Sequence, residues 1–99
     1  MGNFFMTVQN FQKQIEQIYF QRDAERGVDR TFVWFTEEVG ELAKEIRRNP
    51  QDMERLREEF ADVFAWLSTL ASLVGIELQE AAQIYENGCP KCRSTPCSC

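Results

Sequence analysis

An all-α fold of four helices, the middle pair forming an antiparallel hairpin, is predicted by three features of the sequence. Apolar residues recur at i, i+3, i+4 and i+7 through four segments. Residues that start and stop helices stand between those segments. The two most strongly patterned segments are separated by only Arg47-Arg48-Asn49-Pro50, a gap so short that the helices must be antiparallel neighbours. At 99 residues and 43% apolar content the core is small, so completion of the bundle by homo-oligomerisation, as a dimer or a tetramer, is expected. An abrupt change of composition divides the chain into a helical domain, residues 1–88, and a short Cys-rich tail, residues 89–99.

The first helix is expected from Thr7 to about Arg26, where Val8, Phe11, Ile15 and Ile18 repeat at helical spacing and Gly27 follows as a stop. Phe4, Phe5, Tyr19 and Phe20 exceed what one narrow stripe needs. They belong either to core and subunit contacts or to a surface that stacks on a nucleobase. Asp29 is a suitable N-cap for a second helix over Arg30–Arg48. Gly40 inside that helix costs about 1 kcal/mol against Ala, which suggests close approach of a neighbouring backbone or a ligand. Asn49 as N-cap and Pro50 as first helical residue predict a third helix to Val74, with Gly75 just beyond its end. A fourth, short helix follows over Glu77–Glu86, with Leu78, Ala81, Ala82 and Tyr85 on one side.

At about 100° per residue, Phe35, Val39, Leu42 and Ile46 share one stripe of the second helix. Glu38, Glu41 and Glu45 lie beside that stripe together with Trp34, while Glu37 and Lys44 point away. On the third helix Met53, Leu56, Phe60, Val63, Phe64, Leu67 and Val74 form the apolar face, flanked by Glu59, Asp62 and Trp66. Glu54 and Glu58 face water. Measured from the turn, Glu41 stands about 12 Å up one helix and Glu59 about 15 Å up the other. Glu38 and Glu41 therefore oppose Glu59 and Asp62 at matched height and on matched flanks. Either acidic pair alone reads as a solvated helix face. Four converging carboxylates, without His or Cys, instead suit a hard cation, Mg²⁺ or Mn²⁺.

Charge and composition remove other classes. The net charge is −5, there is no histidine, and the basic residues form no stripe, so no nucleic-acid polymer is expected as a partner. A general base must then be a carboxylate or a water held by the metal; Glu45, and less favourably Glu37, are candidates by face. No apolar run suits a signal peptide or a membrane span, which predicts a soluble cytoplasmic protein with no membrane partner. The tail gathers all four cysteines as Cys89-x-x-Cys92 and Cys97-x-Cys99. Four thiolates on so short a loop suit structural Zn²⁺, within one chain or across a dimer. Disulfides and reduced, unstructured thiols are the alternatives.

Glu37-Glu38-Val39-Gly40-Glu41 followed by Glu59-Phe60-Ala61-Asp62 resembles the EExxE…ExxD signature of the MazG-type all-α nucleotide pyrophosphohydrolases. The wording from Trp34 to Ala43 is similar to that family's second helix, and the likeness extends over about residues 5 to 88. The resemblance implies a MazG-like bundle and Mg²⁺-dependent hydrolysis of a ribo- or deoxyribonucleoside triphosphate to monophosphate and pyrophosphate. Carried over residue by residue, it makes Glu38, Glu41, Glu59 and Asp62 the metal ligands and catalytic residues. Where family members often carry Lys, Arg and Asn for the triphosphate, this chain has Gln83, Glu86 and Asn87. Lys13, Arg22, Lys44 and Arg47 are the cations left to meet phosphate, or are ordinary surface charges. The competing reading, from a different class, is a non-enzymatic helical assembly module whose tail binds zinc.

Overall fold

The computed structural model describes residues 6–99. Phe4 and Phe5 lie outside the described residues. Four α-helices follow in order: α1 Val8–Arg26, α2 Val28–Arg47, α3 Met53–Leu73 and α4 Leu78–Ala82, the last continued by a 3₁₀ turn over Gln83–Tyr85. No strand occurs among the described residues. The all-α class and the order of the four helices are as the periodicity predicts.

Thr7 opens α1 through a reciprocal cap: its Oγ1 accepts the Asn10 N–H at 3.0 Å while the Asn10 side chain reaches back to the Thr7 backbone. Gly27, at φ 85°, then serves both helices. Its N–H donates to the Asp23 carbonyl at 3.0 Å and its carbonyl accepts from Thr31 at 3.2 Å. That backbone geometry is open to glycine at little cost, so α2 starts directly at Val28 and not at Arg30. Asp29 is not the cap; it sits in the first turn, where its charge meets the positive end of the helix.

The turn between α2 and α3 also differs from the predicted capping. Asp52, not Asn49, caps α3, its carboxylate accepting from the N–H groups of Glu54 at 3.1 Å and Arg55 at 3.2 Å. A carboxylate that takes two amides outcompetes a cap assignment based on Pro50, so the helix begins at Met53. Gln51 Nε2 closes the other side of the turn by donating to the Ile46 carbonyl at 2.9 Å. The turn remains short and the hairpin is antiparallel. Trp34 stacks on Trp66 near the open end of the pair, and Glu38 faces Asp62 closer to the turn.

α1 crosses α3 with Phe11 stacked on Phe64, centroids 4.6 Å apart, and is bolted there by polar side chains. Buried Gln12 donates to Ser72 Oγ at 3.1 Å and to the Ile76 carbonyl at 2.8 Å, and its Oε1 accepts from the Leu78 N–H at 2.8 Å. One amide thus fixes the turn by which the α4 segment leaves α3 at 105°. The fourth element tightens sooner than its periodicity predicts, and Tyr85 points outward.

The apolar stripes themselves are largely uncovered. Only Ile15 and Ala71 are buried hydrophobics among the described residues, while Ile18 is exposed. α2 shows Phe32, Val39 and Ile46, and α3 with its C-cap residue shows Met53, Phe60, Leu67 and Val74. Each set recurs every seventh residue, making one line along each arm, the spacing with which helices meet partner helices. The radius of gyration is 16.0 Å, against about 13 Å for a compact domain of this length. A single chain therefore leaves its main apolar surface in water.

Candidate functional site

Three of the four expected metal ligands come together. Glu38 from α2 and Glu59 and Asp62 from α3 each bring one carboxylate oxygen within 4.8 Å of the others. Three carboxylate oxygens this close could converge on one divalent ion by side-chain rotation, Mg²⁺–O bonds being about 2.1 Å. Glu41 is not in the trio. Its carboxylate is exposed and lies 3.8 Å from Lys44 Nζ, although its charge is felt by both Glu38 and Glu59.

Burial and mutual repulsion set the electrostatics of the trio. Burial, then the charges of Asp62 and Glu41, push the Glu38 carboxyl above its ordinary value. Burial, then Asp62, Glu38 and Glu41, do the same at Glu59. Glu59 Oε2 is buried and has no hydrogen-bond partner. An orphaned carboxylate oxygen beside two further carboxylates is costly unless a cation meets it, and an all-oxygen donor set suits Mg²⁺ or Mn²⁺.

Glu45 stands apart from the trio, paired with Arg48. Its two oxygens accept from Arg48 Nε at 2.9 Å and Nη2 at 3.1 Å, and that pairing holds the carboxyl below its ordinary value. The better-placed candidate base is thus committed to a bidentate ion pair. Among the described residues nothing beyond the helix's own backbone comes within 4 Å of the space over Gly40, so none of them makes the close approach expected there.

A cleft of about 290 Å³ opens beside Asp62, lined by Tyr19, Arg22, Asp23, Arg26 and Trp66 among others. Of the four basic residues considered from sequence, Arg22 lines this cleft. Arg26 was not among them. It is fixed by Asp23 Oδ1 at 2.9 Å and by Thr31 Oγ1 at 3.3 Å, with its guanidinium 5.0 Å over the Trp66 ring. Asp23 is itself buried and accepts from Thr69 Oγ1 at 3.0 Å. Trp66 in turn stacks on Trp34, centroids 6.2 Å apart and planes within 11°. The chain therefore sets an acidic trio, two guanidiniums and an aromatic face side by side. The local signal for the missed group was Asp23-x-x-Arg26 directly before Gly27, an ion pair at helical spacing at the point where α1 turns into α2.

All four cysteine sulfurs of the tail lie within 4.8 Å of one another, and all are free thiols. The thiol of Cys92 is lowered to about 5 by hydrogen bonds from the Ser98 side chain and backbone and the Ser94 backbone.

Among the described residues no single helix is long and apolar enough to cross a membrane. No curated protein matches the chain. The family model of the MazG nucleotide pyrophosphohydrolase domain matches residues 26–87, a span that holds both carboxylate pairs and stops short of the cysteines.

Proposed function

The chain belongs to the MazG nucleotide pyrophosphohydrolase domain family, and from that membership we propose that it is a Mg²⁺-dependent enzyme hydrolysing nucleoside or deoxynucleoside triphosphates to monophosphate and pyrophosphate. The observation that carries the reading is the convergence of Glu38, Glu59 and Asp62 around an unpartnered Glu59 oxygen. Glu38, Glu59 and Asp62 would hold the ion, with Glu41 as the fourth carboxylate. When bound, Mg²⁺ or Mn²⁺ supplies charge neutralisation at the phosphates and orients an attacking water.

The protein's own groups divide the remaining work. Arg22 and Arg26 offset phosphate charge that one divalent ion leaves uncompensated. Trp66, stacked on Trp34, offers an aromatic face to a base. Asp23 and Thr69 keep Arg26 in place from below and are positioning residues. Water attacks the α-phosphorus, the bond from that phosphorus to the α–β bridging oxygen breaks, and the bridging oxygen leaves with pyrophosphate.

This enzyme would work in the cytoplasm as a homodimer or homotetramer, in which partner helices cover the lines Phe32–Val39–Ile46 and Phe60–Leu67–Val74. The thiolate cluster takes no part in hydrolysis, and Zn²⁺ is the ion its soft donors suit. The same exposed lines favour a second reading, a purely structural helical assembly module.

Incubation with Mg²⁺ and a panel of ribo- and deoxyribonucleoside triphosphates tests the proposal. Monophosphate and pyrophosphate are expected, with loss of at least about 100-fold in Asp62→Asn, beyond what altering the surroundings of a metal ligand costs. Wild-type protein that binds Mg²⁺ yet turns over no triphosphate would favour the assembly module.

A further inference from the structure

We propose that residues 88–99 form a closed structural Zn²⁺ site built by the Cys89, Cys92, Cys97 and Cys99 thiolates of one chain, separate from the carboxylate centre and outside the span that defines the family. A tetrahedral Zn²⁺ with bonds of about 2.3 Å requires sulfur–sulfur edges of about 3.8 Å. Cys89 and Cys99 Sγ are 3.8 Å apart, and Cys92 and Cys97 Sγ are 3.9 Å apart. Four sulfurs drawn to one point fit a shared ion. Two disulfides would instead join them in pairs.

The backbone is folded to serve those sulfurs. Cys89 N–H donates to the Ser94 carbonyl at 3.1 Å and Arg93 N–H donates to the Cys89 carbonyl at 2.6 Å, closing the first Cys pair into a tight loop. Arg93 takes φ 60° to make that turn, a conformation uncommon outside glycine that is retained where the surroundings demand it. Ser98 N–H points at Cys92 Sγ from 3.3 Å and Cys99 N–H at Cys97 Sγ from 3.4 Å, donors that support thiolate charge. At Gly88 the loop returns so closely that a Cβ would stand 2.6 Å from Thr95 Oγ1 and 2.8 Å from the Ser94 carbonyl oxygen.

Nothing else accounts for so defined a shape. Residues 89–99 contain no apolar side chain other than Cys and Pro, and none of them is buried. A segment without a core is ordered by a cross-link. Four thiolates on Zn²⁺ leave a net charge of −2, which Lys91 and Arg93 offset within the same loop. With four protein ligands no position is open to substrate, so the site is structural and not catalytic.

The test uses the full chain, purified without metal-affinity resin or chelator, and measures metal content by elemental mass spectrometry. About one zinc per chain is expected, falling to none in the Cys97→Ser, Cys99→Ser double variant while the far-ultraviolet helical signal and the Mg²⁺ response of the melting temperature persist. A thiol-reactive dye should titrate four sulfhydryls only after zinc is removed. Iron in place of zinc, a mass lower by two disulfides, four freely reactive thiols in the native protein, or zinc retained by the double variant would each overturn the proposal. Such failures would leave the magnesium reading untouched, because the two sites share no residue.

Discussion

Glu38 and Asp62 bring carboxylate oxygens within 4.8 Å of each other from opposite arms of the hairpin, and the charge of Asp62 helps to push the Glu38 carboxyl above its ordinary value. The pair is held by the fold against its own repulsion. Glu38→Gln should therefore raise the melting temperature of the metal-free protein by a few degrees and abolish the rise that the proposal expects of the wild type with Mg²⁺. Preferential binding to the folded state must raise stability. A variant that keeps the full Mg²⁺ response would remove Glu38 from the metal centre.

The pH dependence has a defined sign. Glu38 and Glu59 are raised in the folded chain. Their contribution is fully present below the unfolded-chain value and is lost as pH rises through the folded values. Metal-free melting temperature should gain from this pair as pH falls from neutrality toward the ordinary glutamate value of about 4.3. Glu45 is lowered by Arg48, so its contribution exists above the unfolded value and is lost only as pH falls through the folded one, below about 4. Because Mg²⁺ competes with protons for the same oxygens, its stabilising effect should shrink across the first interval. Melts with and without Mg²⁺ at matched ionic strength check this, and an unchanged Mg²⁺ effect would contradict it.

Asp23→Ala removes the buried partner of Arg26 and Thr69. A loss of about 3 kcal/mol is expected, as for breaking other buried ion pairs. Arg26 also leaves its place over Trp66, so tryptophan emission should change at temperatures where the variant is still folded. Unaltered emission would show that Asp23 does not position Arg26.

Phe60→Glu and Ile46→Glu place a charge in the two exposed apolar lines. Light scattering coupled to size exclusion should report a dimer or larger for the wild type and a shift toward monomer for each variant, with helix content retained. A wild-type monomer would leave these lines without a partner copy.

Much of the fold was legible because it rests on local rules. Periodicity located all four helices, and Gly27 and Gly75 marked the ends of α1 and α3. The helix starts at Val28 and Met53 were missed because Gly27 at φ 85° lets α2 begin without a side-chain cap and Asp52 caps α3 in place of Asn49. Glu38, Glu59 and Asp62 were legible because helical phase and hairpin height are both computable from spacing. The placement of Arg26 was not, since it depends on Asp23, Thr69 and Trp66 meeting across α1 and α3. Burial of Gln12 and Asp23 in place of Ile18 is likewise a tertiary outcome that periodicity does not carry.

The most direct measurement is hydrolysis of a preferred nucleoside triphosphate in ¹⁸O-enriched water with Mg²⁺, followed by mass spectrometry of both products. Attack at the α-phosphorus beside the Glu38, Glu59 and Asp62 centre places the label in the monophosphate and leaves pyrophosphate unlabelled. Label in pyrophosphate, or release of orthophosphate, would contradict α-phosphorus attack by this centre.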